Sequence, residues 1–213
     1  MSKNISFIKL ESYTTPEIVE SSSREWVTWG DNNDYFQYLI DRFNGSSVNN
    51  AIITGVSEMI FGEGLEATNP EVNPDGFAQM KKLFSDHNGQ NPLKNCALDL
   101  KMQGQFALNI IFSVDRTRIA KVKHIPIETL RAEKCDTGGE IRGYYYSADW
   151  NNTNKFTPKR IQAFDVDNRD EASQILYVKP YRAGSFYYSP VDYQGCLNYC
   201  MLDEEVSVYH LAN

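Results

Sequence analysis

The chain has 213 residues, enough for one large domain or two small ones with a substantial core. Its formal net charge of −7 excludes a general electrostatic attraction to nucleic acid. The first residues lack the apolar segment and cleavage site of a signal peptide, and no apolar run is long enough to span a membrane. Aromatic residues make up 13% of the sequence, a content that favours strands and protein interfaces.

Residues 1–25 are predicted to form an N-terminal arm, with a short strand at residues 5–10. Trp26 and Trp29 then precede a cluster of Gly, Asp and Asn. We interpret this stretch as an aromatic plug and a turn, followed by a helix that begins near Asp34.

Residues 26–103 are predicted to form a region of four helices. The first covers residues 35–43. The second covers residues 48–60, begins at a Ser47 cap, and has an apolar face of Ile52, Val56, Met59 and Ile60. The third begins at an Asp75 cap and ends at the turn of residues 87–89, and the fourth begins at Asn91 and Pro92 and ends near Gln103.

Residues 104–188 are predicted to be rich in β-structure. Residues 105–114 and 118–125 form one hairpin, and residues 127–134 and 140–147 form another. Two short strands follow, at residues 160–164 and 174–179. Together with the preceding helices, these strands predict a fold of the α+β class, with N-terminal helices, a mixed or antiparallel β region and a long C-terminal helix.

Residues 189–213 are predicted to form that long helix. Ser189 is a favoured N-cap residue, and Pro190 suits the first helical position. No helix-stopping residue follows before residues 212–213, so we expect the helix to continue beyond Asn213. From Ser189 onward the chain has four carboxylates and no Lys or Arg. They form either a solvated helix face or a face that lines something it must not bind.

No residue in the sequence is identified as catalytic, cofactor-binding or metal-binding, and no cofactor is expected. The four cysteines lack zinc-ligand spacing, and Cys196 and Cys200 are interpreted as buried apolar side chains. The acidic loop at residues 165–171 departs from a calcium-binding loop at its fifth and sixth positions. The basic side chains of Lys121 and Lys123, on one face of a predicted strand, are expected to be solvated. The alternative is that they contact phosphate or an acidic neighbour.

Several short motifs occur in a fixed order along the chain. They are Trp-Gly-Asp-Asn at residues 29–32, Phe-Gly-Glu-Gly at 61–64, Met-Gln-Gly-Gln-Phe-Ala-Leu at 102–108, Pro-Ile-Glu-Thr-Leu-Arg at 126–131, and Gly184 followed by Tyr-Tyr-Ser-Pro at 187–190. This order resembles that of the portal proteins of tailed bacteriophages. The resemblance covers nearly the whole chain, and it depends on collinearity because each motif by itself is unspecific.

The resemblance implies a ring, twelve-fold in particles, that occupies one capsid vertex and conducts double-stranded DNA during packaging and ejection. It implies contacts with the terminase, head-completion or adaptor proteins and the major capsid protein, and a location in the virion, with assembly in the host cytoplasm. Residues 26–103 would then be wing-like and end in a stem-like helix, residues 104–188 would belong to the wing and clip, and residues 189–213 would begin a second stem helix. The chain is short for this family, so we expect either a fragment or a natural short form.

Two other functions remain open from the residues. A small metal-dependent nuclease or hydrolase could use the carboxylates of Asp165, Asp167 and Asp170. A monomeric interaction module could use the many aromatic side chains. The portal resemblance favours a structural protein that is not an enzyme.

Overall fold

The computed structural model describes residues 15–85 and 91–212 and confirms an α+β fold with a mixed sheet and a long C-terminal helix. The helices are α1 (Asp34–Gly45), α2 (Ser47–Phe61), α3 (Pro74–Leu83), α4 (Pro92–Gln103) and α5 (Leu197–Ala212). The strands are β1 (Ile18–Glu20), β2 (Val27–Trp29), β3 (Phe106–Phe112), β4 (Ile119–Ile125), β5 (Leu130–Ala132), β6 (Gly143–Tyr146), β7 (Lys159–Ala163) and β8 (Ser173–Val178). The predicted strand at residues 5–10 and the predicted turn at residues 87–89 lie outside the described residues.

Six strands form one sheet in the order β4-β3-β8-β7-β6-β5. Both predicted hairpins are confirmed, because β3 pairs antiparallel with β4 and β5 pairs antiparallel with β6. The two short strands β7 and β8 pair in parallel, which makes the sheet mixed. Residues 164–172, which contain the acidic loop, connect the two strands.

The N-terminal part contains a strand pair that the sequence did not predict. β1 pairs antiparallel with β2, so the Trp26–Asn33 stretch is a strand followed by a turn and not only an aromatic plug. Trp29 is buried, and its indole N–H donates to the carbonyl of Pro16 at 2.8 Å. Short strands of this kind are difficult to predict because their stability comes from packing and not from residue preference.

The helix starts follow the predicted chemistry, with shifts of one or two residues. Asn91 caps α4, since its Oδ1 accepts from the backbone N–H of Leu93 at 2.9 Å. Ser46, and not Ser47, caps α2 by accepting from the N–H of Asn49 at 3.2 Å. Asn73, and not Asp75, caps α3, with Pro74 at the first helical position.

The predicted start of the last helix is wrong. Ser189 is fully buried, its hydroxyl donates to the carbonyl of Pro180 at 2.8 Å, and its N–H donates to Oε1 of Gln105 at 3.2 Å. No helix begins at Ser189, so this side chain is not a helix cap. The chain instead passes through a 3₁₀ turn at Gln194–Cys196 before α5 begins at Leu197. The buried segment around Ser189, which we call the tether, leads into α5 and therefore fixes the position of its first turn.

The main core joins segments from three of the regions predicted from the sequence. It combines Trp29 and Phe36 with residues of β5 to β8, with Tyr188 and with Leu197 at the start of α5. A smaller cluster packs Cys96 of α4 against β3 and β4. The boundaries of the predicted regions stay a prediction. No helix within the described residues is both long and apolar enough to cross a membrane.

Candidate functional site

The predicted apolar face of α2 points away from the core. Ile52 and Met59 are 59% and 74% exposed, Ile60 is also exposed, and Val56 is half-buried. The side of α2 that is buried consists of Asn49, Ile53 and Ser57. The large apolar side chains are therefore left for a contact outside this part of the chain.

Small and polar residues explain why the other side of α2 faces inward. The Asn49 amide donates to the carbonyl of Arg42 at 3.4 Å, and the Ser57 hydroxyl donates to the carbonyl of Thr54 at 2.8 Å. The first bond satisfies a polar group at the contact of α2 with α1, and the second satisfies the Ser57 hydroxyl within α2 itself. Hydrophobic periodicity identifies the helix correctly but not the face that is buried.

Helix α5 is anchored along its first half. Leu197 is buried in the main core and Cys200 is buried nearby, Asp203 and Glu204 are half-buried, and residues 205–211 are exposed. Val206 and Val208 are exposed, and Leu211 is 89% exposed. Apolar residues lie on several sides of this second half of the helix, so it is not an amphipathic surface helix.

An apolar groove lies between α2 and the first half of α5 and encloses about 330 Å³. The wall on the α2 side is aliphatic and consists of Val48, Ile52, Ile53 and Val56. The opposite wall consists of Tyr193, Cys196, Tyr199 and Cys200. The rim contains two polar contacts. The Ser46 hydroxyl donates to Asp203 at 2.8 Å, and Lys101 pairs with Asp192.

The carboxylates of the terminal segment do not form a free acidic face. Arg42 of α1 pairs with Glu204 at 2.5 Å, and this contact passes directly over Gly45, where a Cβ atom would meet the Glu204 carboxylate at 2.7 Å. Asp203 and Asp192 have the rim partners described above, which leaves Glu205 exposed. Two of the four carboxylates therefore have cationic partners, from α1 and α4, and Asp203 has a hydroxyl partner, so the segment is not simply a solvated acidic face. That it lines something it must not bind stays a prediction.

The two cysteines one turn apart have different environments. Cys200 is buried, as predicted, and burial raises the pKa of its thiol. Cys196 is exposed at the mouth of the groove, so the prediction that it is buried is wrong. Both cysteines are free thiols.

The carboxylates proposed for a metal-dependent enzyme do not converge. Asp165 and Asp167 line a polar cleft of about 550 Å³ that also contains Arg142, and Asp170 does not line it. Arg142 pairs with Asp136 and Glu140 at this cleft. Within residues 15–85 and 91–212, no group of three or more His, Cys, Asp or Glu side chains is placed to bind a metal ion.

The basic strand residues lie where the sequence predicted. Lys121 and Lys123 are exposed on the same side of the sheet-edge strand β4, paired in register with Ile111 and Asn109. Nothing else in the described structure converges on them to form a site.

A buried Asp–His pair was missed by the sequence analysis. Asp99 of α4 and His124 of β4 are 25 residues apart, yet His124 Nε2 lies 2.7 Å from Asp99 Oδ2. Burial raises the pKa of the Asp99 carboxyl, and the hydrogen bond to His124 opposes that rise. The pair lies between helix and sheet and fixes α4 against β4. We therefore interpret it as a structural contact.

Replacing His124 by alanine should destabilise the protein by about 2 to 3 kcal/mol near neutral pH, because an ionised Asp99 then loses its partner. The loss should shrink as the pH falls, since the raised pKa of Asp99 means that the folded state readily takes up the proton that neutralises it. Urea unfolding over a pH series measures both effects. Asp99→Asn is the control, because the amide oxygen still faces His124 without a buried charge. An equal loss in both variants would contradict this explanation.

No protein-family model matches this sequence, and no curated protein matches it. Solved structures do match. One is a chain of "Virion of native gene transfer agent (GTA) particle", with 12% identity and a TM-score of 0.63 over 87% of this chain and 46% of that chain. A second is in "Neck of empty GTA particle computed with C6 symmetry", with 14% identity, a TM-score of 0.63 and the same coverage. A third is in "Neck of native GTA particle computed with C12 symmetry", with 12% identity and a TM-score of 0.59 over 84% of this chain and 44% of that chain.

These matches establish the fold. The chain has the fold of a component of gene transfer agent particles, and it spans about half the length of the chains it matches. The class is therefore that of an α+β chain related in fold to proteins of phage-like particles and their necks. At this level of identity, the role of the chain within such a particle is a matter for proposal.

Proposed function

We propose that this chain is a portal protein, or part of one, and that its copies form a ring at one vertex of a phage-type capsid. The observation that carries the proposal is the shared fold with chains of a particle neck, over 84% of this chain for the neck computed with C12 symmetry. The collinear motifs between Trp29 and Pro190 point to the same family.

The exposed surface supports an assembled state. A soluble monomer rarely exposes large contiguous apolar patches, and this chain exposes large apolar side chains on α2, in the groove and on the second half of α5. A ring uses heterologous contacts, in which one surface of a subunit meets a different surface of its neighbour. Several separate apolar surfaces on one chain suit that arrangement.

In the proposed role the chain is structural and not an enzyme. The ring, with twelve copies in the particle, provides the channel through which double-stranded DNA enters during packaging and leaves during ejection. It provides the docking face for the terminase and later for head-completion or adaptor proteins, and its rim contacts the major capsid protein. Its location is the virion, with assembly in the host cytoplasm.

Electron microscopy of the longest natural form of this chain tests the proposal. We expect closed rings with a central channel, a mass that is a whole multiple of the subunit mass, and antibody label at a single vertex of purified particles. Label spread over the whole shell would contradict a portal role. So would a monomer that hydrolyses DNA or another substrate when magnesium or manganese is added, which is the behaviour expected of the enzyme alternative.

A further inference from the structure

The chain separates opposite charges into two surfaces. Residues 62–75, which we call the α2–α3 segment, contain no Lys or Arg and have four carboxylates: Glu63, Glu66, Glu71 and Asp75. Residues 116–123, which we call the basic edge, contain no carboxylate and have four cations: Arg116, Arg118, Lys121 and Lys123. All of these residues are exposed except Arg116, which is half-buried.

Neither surface is neutralised within residues 15–85 and 91–212, since the ion pairs found there involve none of these side chains. Asp115 lies next to the basic edge, where its carboxylate accepts from the hydroxyls of Ser113 and Thr117. The guanidinium of Arg169 offsets this charge, because it donates to the carbonyls of Arg116 and Thr117. Each surface therefore gathers like charges that gain from a partner of the opposite sign.

The two surfaces lie on opposite sides of the sheet. Val122 is buried and packs with Cys96 of α4. Successive side chains of a strand point to opposite faces, so Lys121 and Lys123 point away from α4. The α2–α3 segment lies on the α4 side, because Leu65 lines an apolar pocket with Cys96 and the following helix α3 packs against the same cluster. One copy therefore cannot place this segment against its own two lysines.

Both surfaces also carry exposed apolar side chains. Leu65 and Val72 are exposed in the α2–α3 segment, and Val114 and Ile119 are exposed at the basic edge. Apolar side chains surrounded by charge are typical of a protein contact, in which polar groups enclose a desolvated centre. A phosphate backbone would pair with the cations but would leave these apolar side chains in water. The composition therefore favours a protein partner.

We propose that the basic edge of one copy binds the α2–α3 segment of a second copy of this chain. Charge complementarity identifies the partner, because each surface matches the sign that the other lacks. Between chains of net charge −7, the basic edge is also a place where approach is not repulsive. The proposal rests on the proposed function and deepens it, since two different surfaces give the head-to-tail contact from which a ring is built.

Carbodiimide cross-linking of the 213-residue chain tests the contact directly, because the reagent joins a carboxylate to a lysine amine only where the two touch. Unlabelled and isotope-labelled copies are mixed in equal amounts before the reaction. We expect cross-links from Lys121 or Lys123 to Glu66 or Glu71, in peptide pairs that combine a labelled and an unlabelled chain. Absence of such mixed pairs overturns the proposal.

Charge reversal tests the same contact by a second route. One protein has a reversed basic edge, with the substitutions Arg118→Glu, Lys121→Glu and Lys123→Glu. The other has a reversed α2–α3 segment, with the substitutions Glu63→Lys, Glu66→Lys and Glu71→Lys. All six positions are exposed, so folding should be retained. Sedimentation at low ionic strength should show that self-association of each protein is weakened about tenfold or more, because like charges then meet.

A mixture of the two reversed proteins should associate again, since every reversed surface then meets the opposite charge on the other protein. A loss of folding cannot produce this recovery. Failure of the mixture to associate overturns the proposal.

A matched control separates the contact from net charge. Lys155→Glu, Lys159→Glu and Arg182→Glu together change the net charge as much as the reversed basic edge does, at exposed positions outside both surfaces. This protein should associate like the unsubstituted chain, and an equal weakening overturns the proposal. A duplex oligonucleotide tests the phosphate alternative. Binding of the duplex that is lost in the edge-reversed protein, while self-association is unchanged, would assign the basic edge to nucleic acid instead.

The inference and the proposed function fail in distinguishable ways. Closed rings of the longest natural chain, without mixed cross-links between the basic edge and the α2–α3 segment, would leave the portal proposal in place and show that neighbours meet elsewhere. Mixed cross-links in copies that never close into rings, from particles that carry no label at a vertex, would leave the contact in place and remove the portal role.

Discussion

Replacing Gly104 by alanine is expected to destabilise the fold by about 3 kcal/mol. Gly104 ends α4 with a φ of 79°, in the left-handed region that favours glycine. A Cβ atom at this position would lie 2.9 Å from the carbonyl oxygen of Ser189 and 3.1 Å from the carbonyl group of Pro190. These are backbone atoms of a buried segment, so the clash cannot be relieved by rotating a side chain.

The cost therefore has two parts that a matched variant separates. Gly184 has the same φ of 79° but no atom within 4 Å of the position of a Cβ. Gly184→Ala should lose only the conformational part, about 1 kcal/mol, whereas Gly104→Ala should also carry the steric part. Thermal unfolding should show a midpoint for Gly104→Ala that is roughly 6 to 12 °C below that of the unsubstituted chain. Equal midpoints for the two variants would show that the Ser189–Pro190 segment moves aside without cost.

The same contact links the fold to the groove. Gly104 lies against the segment that leads to α5, and Lys101, one turn earlier in α4, pairs with Asp192 at the groove rim. A shift of that segment would move the base of α5 and change the width of the groove.

The fold class and most elements were predictable because local chemistry determines them. Asn91 and Pro92 start α4, and Gly104 ends it, through capping and backbone rules that need no tertiary information. The two hairpins followed from alternating apolar residues and turn residues. The β1–β2 pair was missed because three-residue strands lack a detectable pattern, and they exist here through packing of Trp29 into the core.

The start of α5 shows where local rules fail. Ser189 followed by Pro190 has the composition of a helix cap, but tertiary contacts use the serine otherwise, since Pro180 and Gln105 occupy its hydroxyl and N–H. A competing long-range hydrogen bond cannot be inferred from neighbouring residues. The same limit applies to the acidic residues of α5, whose partner Arg42 lies more than 150 positions earlier in the sequence.

The candidate site could not be predicted as a site. Its two walls come from residues 48–56 and 193–200, which are brought together only by the packing of α2 and α5. Periodicity indicated an apolar face on α2, but the inward side consists of Asn49, Ile53 and Ser57, and Asn49 donates to α1. The exposed apolar face is informative for this reason, because α2 buries one large apolar side chain, Ile53, between polar ones and leaves Ile52, Met59 and Ile60 exposed.

Removing the hydroxyl of Tyr188 should cost about 2 to 4 kcal/mol, although the ring remains in place. The hydroxyl donates to the carbonyl of Val27 at 2.6 Å and accepts from the N–H of Ala132 at 2.9 Å. Tyr188 is fully buried, and burial raises the pKa of its hydroxyl well above the usual value, so the group stays protonated and able to donate. Tyr188→Phe leaves a buried carbonyl on β2 and a buried N–H on β5 without partners.

Tyr177→Phe provides the matched control, because its buried hydroxyl has no hydrogen-bond partner among the described residues. That substitution removes an unsatisfied polar atom and should be neutral or should stabilise the protein by up to about 1 kcal/mol. Urea unfolding of both variants measures the difference. A loss in Tyr177→Phe as large as that in Tyr188→Phe would mean that the two hydroxyls are equivalent and that the link between β2, β5 and the tether is unimportant. A large loss in Tyr188→Phe with none in Tyr177→Phe would show that the Tyr188 hydroxyl links the N-terminal strand pair, the sheet edge and the segment that leads to α5.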